Sequence, residues 1–124
     1  VNRSTLSKKQ LGALGEAAAE QYLRKLGYTI IGRNWRCRSG EIDLIAEEGD
    51  TLIFVEVRTR SSSSQFGTPA ESVDFRKQRQ VTETAQVYLL QKKQYDRPIR
   101  FDVISVQTDS VGVVQTIEQI RSAF

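Results

Sequence analysis

Two acidic strands in tandem constrain this chain more than any other feature. Gly40-Glu41-Ile42-Asp43-Leu44-Ile45 is followed, after a short polar turn, by Ile53-Phe54-Val55-Glu56-Val57-Arg58. Successive side chains of a strand point to opposite faces. Glu41 and Asp43 therefore share one face of the first strand, and Phe54, Glu56 and Arg58 share one face of the second. A hairpin through Glu47-Glu48-Gly49-Asp50, with Ala46 opposite Thr51, sets Asp43 across from Phe54. Glu56 is then the diagonal neighbour of Asp43 on the same face, with about 7 Å or less between Cβ atoms. Two carboxylates at that spacing can share one divalent cation. Glu56 lies between valines that imply burial, and a buried acid is costly unless paired or metal-bound. An ion pair of either acid with Arg58 on an exposed sheet face satisfies the same pattern, so residue types alone leave both readings open.

Composition narrows the chemistry. The chain has no histidine and one cysteine, Cys37. That excludes an internal disulfide, a thiolate zinc cage, histidine-based zinc sites, and the Ser-His-Asp and Cys-His triads. Carboxylate, lysine, arginine, tyrosine and metal remain. Oxygen-only ligands favour a hard cation, Mg2+ or Mn2+, over zinc. The formal net charge is +3, and its distribution says more than its size. Acids gather from Glu41 to Asp50, while Arg33, Arg36, Arg38, Arg58, Arg60, Arg76, Lys77 and Arg79 flank them. An acidic centre among basic groups suits a site that holds metal and grips a phosphate backbone.

The 124 residues suffice for one domain with a proper core. Residues 1–10 read as a flexible basic arm and 11–124 as a single domain. No apolar run approaches the roughly 20 residues of a membrane span, and the polar, basic start has no signal-peptide core. The expectation is a soluble cytoplasmic protein without a membrane partner. Leu11, Leu14, Ala18, Tyr22 and Leu26 form one helical stripe, with Glu16 at its border. Gly12 and Gly15 allow that helix to approach a sheet closely, Glu20 and Arg24 pair across one turn, and Gly27 ends it. Strands follow at Tyr28–Trp35, Ile42–Ala46 and Thr51–Arg60, then a serine-rich loop from Ser61 to Thr68. A second helix is expected from Ser72 to Lys93, buried through Val81, Ala85, Tyr88 and Leu89. Ile99, Phe101, Val103 and Ile104 mark a further strand, and Val111–Ile117 another. The order α-β-β-β-α-β-β predicts a mixed α/β sandwich, with helices on a central sheet.

The runs Gly15-Glu16, Gly27-Tyr28, Asn34-Trp35-Arg36, Gly40-Glu41-Ile42-Asp43-Leu44-Ile45-Ala46 and Phe54-Val55-Glu56-Val57-Arg58-Thr59-Arg60 together resemble the YraN family of bacterial proteins. Phe66-Gly67, Pro69, Glu71, Val73, Lys77-Gln78-Arg79 and Arg100-Phe101-Asp102-Val103 extend the resemblance over about residues 11–106. It implies a fold similar to restriction endonucleases and archaeal Holliday-junction resolvases. Their shared motif is an Asp, then Glu-x-Lys on the next strand, often with a Glu on the first helix. By that resemblance Asp43, Glu56 and Glu16 hold the metal, and the motif lysine falls on Arg58. Arginine is planar and permanently charged, suited to neutralising a phosphorane and poorly suited to general-base work. Lys77, at the start of the second helix, is the alternative source of an ammonium group.

The function implied is Mg2+- or Mn2+-dependent hydrolysis of nucleic-acid phosphodiesters. Glu16, Asp43, Glu56, Arg58 and Lys77 form the catalytic set, and Arg36, Arg38, Arg60, Arg76, Lys77 and Arg79 the phosphate contacts. The alternative is a non-catalytic nucleic-acid-binding protein that keeps the nuclease fold. DNA is the expected substrate by resemblance, although the residues do not separate it from RNA, and a homodimer is implied by the same analogy. Glu41 reads as a rim acid and Asp102 as structural. Tyr28 and Trp35 suit either base stacking or burial at strand ends.

Overall fold

Ser7 starts the first helix. Its hydroxyl accepts from Gln10 N at 3.1 Å while Gln10 Oε1 accepts from Ser7 N at 2.9 Å, a reciprocal capping box. Helix α1 therefore spans Lys8–Lys25, beginning inside the segment expected to be a free arm. In this computed structural model the described residues are 6–61 and 73–124; the first residues of the expected arm and most of the serine-rich loop lie outside them. Leu26 is the C-cap and Gly27 follows at φ 92°, the left-handed position glycine takes without strain. Glu20 pairs with Arg24 at 3.0 Å as expected, and also with Arg33 at 2.6 Å. Of the two glycines expected to admit close packing, Gly15 does so: a Cβ there would run into the side chain of Thr59. Nothing lies within 4 Å of the corresponding position at Gly12.

Strands β1 (Thr29–Cys37), β2 (Gly40–Glu48) and β3 (Thr51–Ser61) form an antiparallel meander. The β2–β3 turn is tighter than the sequence suggested. Glu48 pairs with Thr51, leaving only Gly49 and Asp50 to turn the chain, with Gly49 at φ 59°. Glycine leading a two-residue hairpin loop matches the twist of the flanking strands. Ala46 consequently faces Ile53 and not Thr51. A slip of two residues keeps the side chains of β3 on their expected faces, whereas a slip of one would have inverted them. In β2 the expected sharing of a face by Ile42 and Leu44 fails, because Ile42 packs with Ile45 on the face away from α1 and Leu44 on the α1 side.

Helix α2 (Phe75–Gln91) carries the chain over to β4 (Ile99–Thr108), which lies parallel to β3, and β5 (Val114–Ile120) returns antiparallel. The sheet order is β1-β2-β3-β4-β5, and the element order is the expected one. Helix α2 starts later than anticipated because Asp74 caps it, its carboxylate accepting from Lys77 N at 2.9 Å. Strand β5 starts at Val114 and not Val111, because Asp109 Oδ1 takes Val111 N and Val113 N at 3.0 and 2.8 Å and closes a turn there. No helix among the described residues is long and apolar enough to cross a membrane.

A helix covers each sheet face. Ala19 and Leu23 of α1 pack on Leu44, Ala46, Ile53, Val55, Ile104 and Val106. Val81, Ala85, Tyr88 and Leu89 of α2 pack on Ile42, Ile45, Leu52 and Phe54. Burying a side chain as large as Phe54 contributes about 1.5–3 kcal/mol, so these two layers fix the helices that bracket the acids. Asp102 is structural, as its neighbours implied. Fully buried, it accepts from Arg100 at 2.8 and 2.9 Å, Gln119 at 3.0 Å and Ser122 N at 3.1 Å.

Candidate functional site

Regular β2–β3 pairing ends at Leu44 and Val55, and continuing it by one residue brings Asp43 opposite Glu56. By register the tighter hairpin makes Asp43 the direct neighbour of Glu56, where the sequence suggested a diagonal one, and Asp43 is near enough to raise the Glu56 carboxyl. Asp43 Oδ2 accepts from Val57 N at 2.8 Å, a side chain taking over where the backbone ladder stops. Glu56 is only 4% exposed, and its Oε2 has no hydrogen-bond partner. Lys77 Nζ stands 3.2 Å from that oxygen, close enough for an ion pair but outside hydrogen-bond geometry. Burial first, then the neighbouring Asp43, push the Glu56 carboxyl up to about 8, and Lys77 offsets this only in part. Lys77 comes from the first turn of α2, where the Asp74 cap holds its backbone.

A second acidic pair adjoins the first. Asn34 on β1 has φ 48°. With its amide nitrogen facing the acids, it donates to Glu41 Oε1 at 2.9 Å and Glu16 Oε1 at 3.1 Å. Arg36 pairs with Glu41 at 3.1 Å. The Glu16 carboxyl is held above its usual range, mainly by burial and next by the Asp43 charge, against the Asn34 hydrogen bond and Arg36.

The expected basic residues divide between clefts and surface. Arg58, Arg60 and Lys8 line a cleft of about 510 Å³ with Glu16, between the start of α1 and the end of β3. Arg36, Lys77 and Glu41 line another of about 390 Å³ at the β1–β2 turn. Arg38, Arg76 and Arg79 are exposed. Trp35 packs edge-on to Tyr88 at 5.2 Å, and the buried Tyr28 hydroxyl receives Arg100, Gln119 and Arg121. Tyr28 is buried and Trp35 partly buried, and both rings make internal contacts.

Comparison with known proteins gives the same grouping as the sequence motifs. The profile described as "Uncharacterised protein family UPF0102" matches residues 15–106. A UPF0102 protein of Moorella thermoacetica is 45% identical over 120 residues, 97% of this chain and 99% of its own. Another from Geotalea daltonii is 48% identical over 116 residues, 94% and 90% of the two chains. One from Rhodococcus opacus is 47% identical over 114 residues, 92% and 95%. The chain belongs to the UPF0102 family.

UPF0102 is the YraN grouping that the motifs resembled, and its matched segment contains every member of the two acidic pairs together with Asn34, Arg58 and Lys77. Among the described residues, no three metal-binding side chains are gathered as one cage, so Glu16 adjoins the Asp43–Glu56 pair without joining it. Two carboxylates are nonetheless a sufficient protein contribution for magnesium, which keeps several of its waters. The buried Glu56 carboxyl, whose Oε2 has an ion-pair partner in Lys77 but no hydrogen bond, and the oxygen-only donor set fit such a hard cation.

The sequence reading gave Asn34 no part in the site, although it lies within one of the family motifs. Its signal was an asparagine inside a strand, where that residue is depleted and where it readily adopts a left-handed backbone.

Proposed function

We propose that Asp43, Glu56 and Lys77 form the catalytic centre of an Mg2+- or Mn2+-dependent nuclease. Glu56 carries the reading: it is a buried carboxyl with one oxygen lacking a hydrogen bond, set against a second carboxylate and an ammonium group. Lys77 offsets the burial of that acid only in part, and strongly perturbed acids of this kind cluster at functional sites. When bound, the cation supplies Lewis acidity toward the phosphoryl group. Asp43 and Glu56 are its holders, and Glu16 adds negative charge beside Asp43. Lys77 offsets the charge that builds on the phosphate oxygens as water attacks in line. Arg58, at the position of the nuclease motif lysine, adds a permanent positive charge from the neighbouring cleft. Arg36, Arg38, Arg60, Arg76 and Arg79 contact backbone phosphates, which positions the substrate without reading its sequence.

The test is Mn2+ calorimetry combined with cleavage assays on branched, single-stranded and duplex DNA and on RNA. Wild type binds the metal and cleaves; Asp43→Ala does neither. Equal binding by both proteins removes Asp43 from the site. The arginine at position 58 favours a second reading, nucleic-acid binding without turnover. Metal and nucleic-acid binding with no cleavage of any substrate, by wild type or Arg58→Lys, selects it.

A further inference from the structure

Three departures from regular strand geometry converge on the acids. Asn34 holds its left-handed backbone within β1, and the register that sets Arg33 against Leu44 and Trp35 against Ile42 puts it opposite Asp43. The facing pattern of β2 breaks at the same place: Ile42 and Ile45 both pack toward α2, while Leu44 packs toward α1. Regular β2–β3 pairing also stops there, and Asp43 Oδ2 takes the Val57 amide. Backbone strain of this kind persists where the surrounding structure needs it, and it concentrates at functional sites.

The chemistry at position 34 is specific. Its amide bridges acids from two elements, Glu16 of α1 and Glu41 of β2. Two adjacent carboxylates need donors to stay together, and a primary amide supplies two without charge. Lysine or arginine there would neutralise the attraction of the acids for a cation, and aspartate would add a third repelling charge. Glycine takes the backbone conformation but brings no donor.

We infer that Asn34 is a positioning residue of the catalytic centre: its left-handed backbone and bridging amide hold Glu16 and Glu41 on the Asp43 side, so that the Glu16 charge stays beside Asp43 and strengthens the pull of the Asp43–Glu56 pair on the cation. This rests on the nuclease reading above. Glu16 comes from a helix and the other acids from strands, and Asn34 is the hydrogen-bonded link between them.

Asn34→Gly and Asn34→Ala in the full chain test the role, with Mn2+ affinity by calorimetry and thermal midpoint measured on each. Glycine keeps the backbone and deletes the amide; alanine deletes the amide and adds strain. The expected result is a midpoint at or above wild type for Asn34→Gly and a lower one for Asn34→Ala. Both should bind Mn2+ about tenfold more weakly, as loss of a hydrogen-bonding residue around a metal site does. With Mn2+ saturating, kcat should fall while KM for nucleic acid holds. Wild-type Mn2+ affinity in Asn34→Gly, or affinity that merely follows the midpoint, overturns the positioning role and leaves the nuclease reading standing. A wild type that takes up no Mn2+ overturns both.

Discussion

Glu56 keeps its proton in the folded chain at pH values where the unfolded chain has released it. Between its ordinary value of 4.5 and the raised value of about 8, the native state binds more protons than the unfolded state, so stability falls as pH rises through that window. Glu56→Gln cannot ionise and should flatten the decline. Urea unfolding at pH 5 and pH 8 checks this: wild type should lose more stability than the variant between the two. Lys77 and Arg58 separate just as cleanly. Lys77 already stands beside Glu56, so Lys77→Ala should lower kcat on the order of a hundredfold or more while leaving Mn2+ binding in place. Arg58→Lys should change little. A gain of about tenfold from Arg58→Lys, about 1.4 kcal/mol off the barrier, would instead make position 58 the operating ammonium site. The acids themselves were legible from strand alternation. The choice between Arg58 and Lys77 was not, because it depends on how far the side chain of a helix residue reaches across to a strand.

The first turns of α2 break a local rule. Arg76, Lys77 and Arg79 sit at the positive end of the helix dipole, and no acid lies in the first turn. The sequence placed all three among the phosphate contacts, and Lys77 in the catalytic set as well. In the fold Lys77 turns to Glu56, whereas Arg76 and Arg79 are exposed. Neutralising those two as Arg76→Gln and Arg79→Gln should weaken nucleic-acid binding alike across sequences. The salt dependence on duplex DNA should flatten by about 0.9 per lost contact, with Mn2+ affinity unchanged. An unaltered slope would mean that these side chains are simply solvated. Element boundaries were legible where periodicity was strong, as in the buried stripe of α2. They moved wherever a side chain captured the backbone: Ser7 and Gln10 drew α1 earlier, Asp74 held α2 back, and Asp109 delayed β5. The Asp109 turn was masked by the valines that follow it.

Across the whole molecule, Asp43 and Glu56 lie mid-strand in β2 and β3, with Glu16 coming from α1 on one sheet face and Lys77 from α2 on the other. A cation joining Asp43 and Glu56 binds the folded state alone, so it stabilises by mass action. It also competes with the proton on Glu56. Adding Mn2+ should therefore raise the thermal midpoint, more at pH 8 than at pH 5, and Asp43→Ala should abolish the shift. A pH-independent rise shared by both proteins would place the ion elsewhere. By itself the sequence determined the order of elements and the apolar faces of α2 and β3. These follow from periodicities carried locally by each segment, and they survive a register slip of two residues. Only the tertiary structure decided that Asp43 meets Glu56 directly, that Lys77 supplies the ammonium beside them, and that Asn34 ties the helix acid to the strands. Those facts depend on how many residues turn a hairpin, where caps start the helices, and one left-handed residue in a strand, none of which alters the hydrophobic pattern.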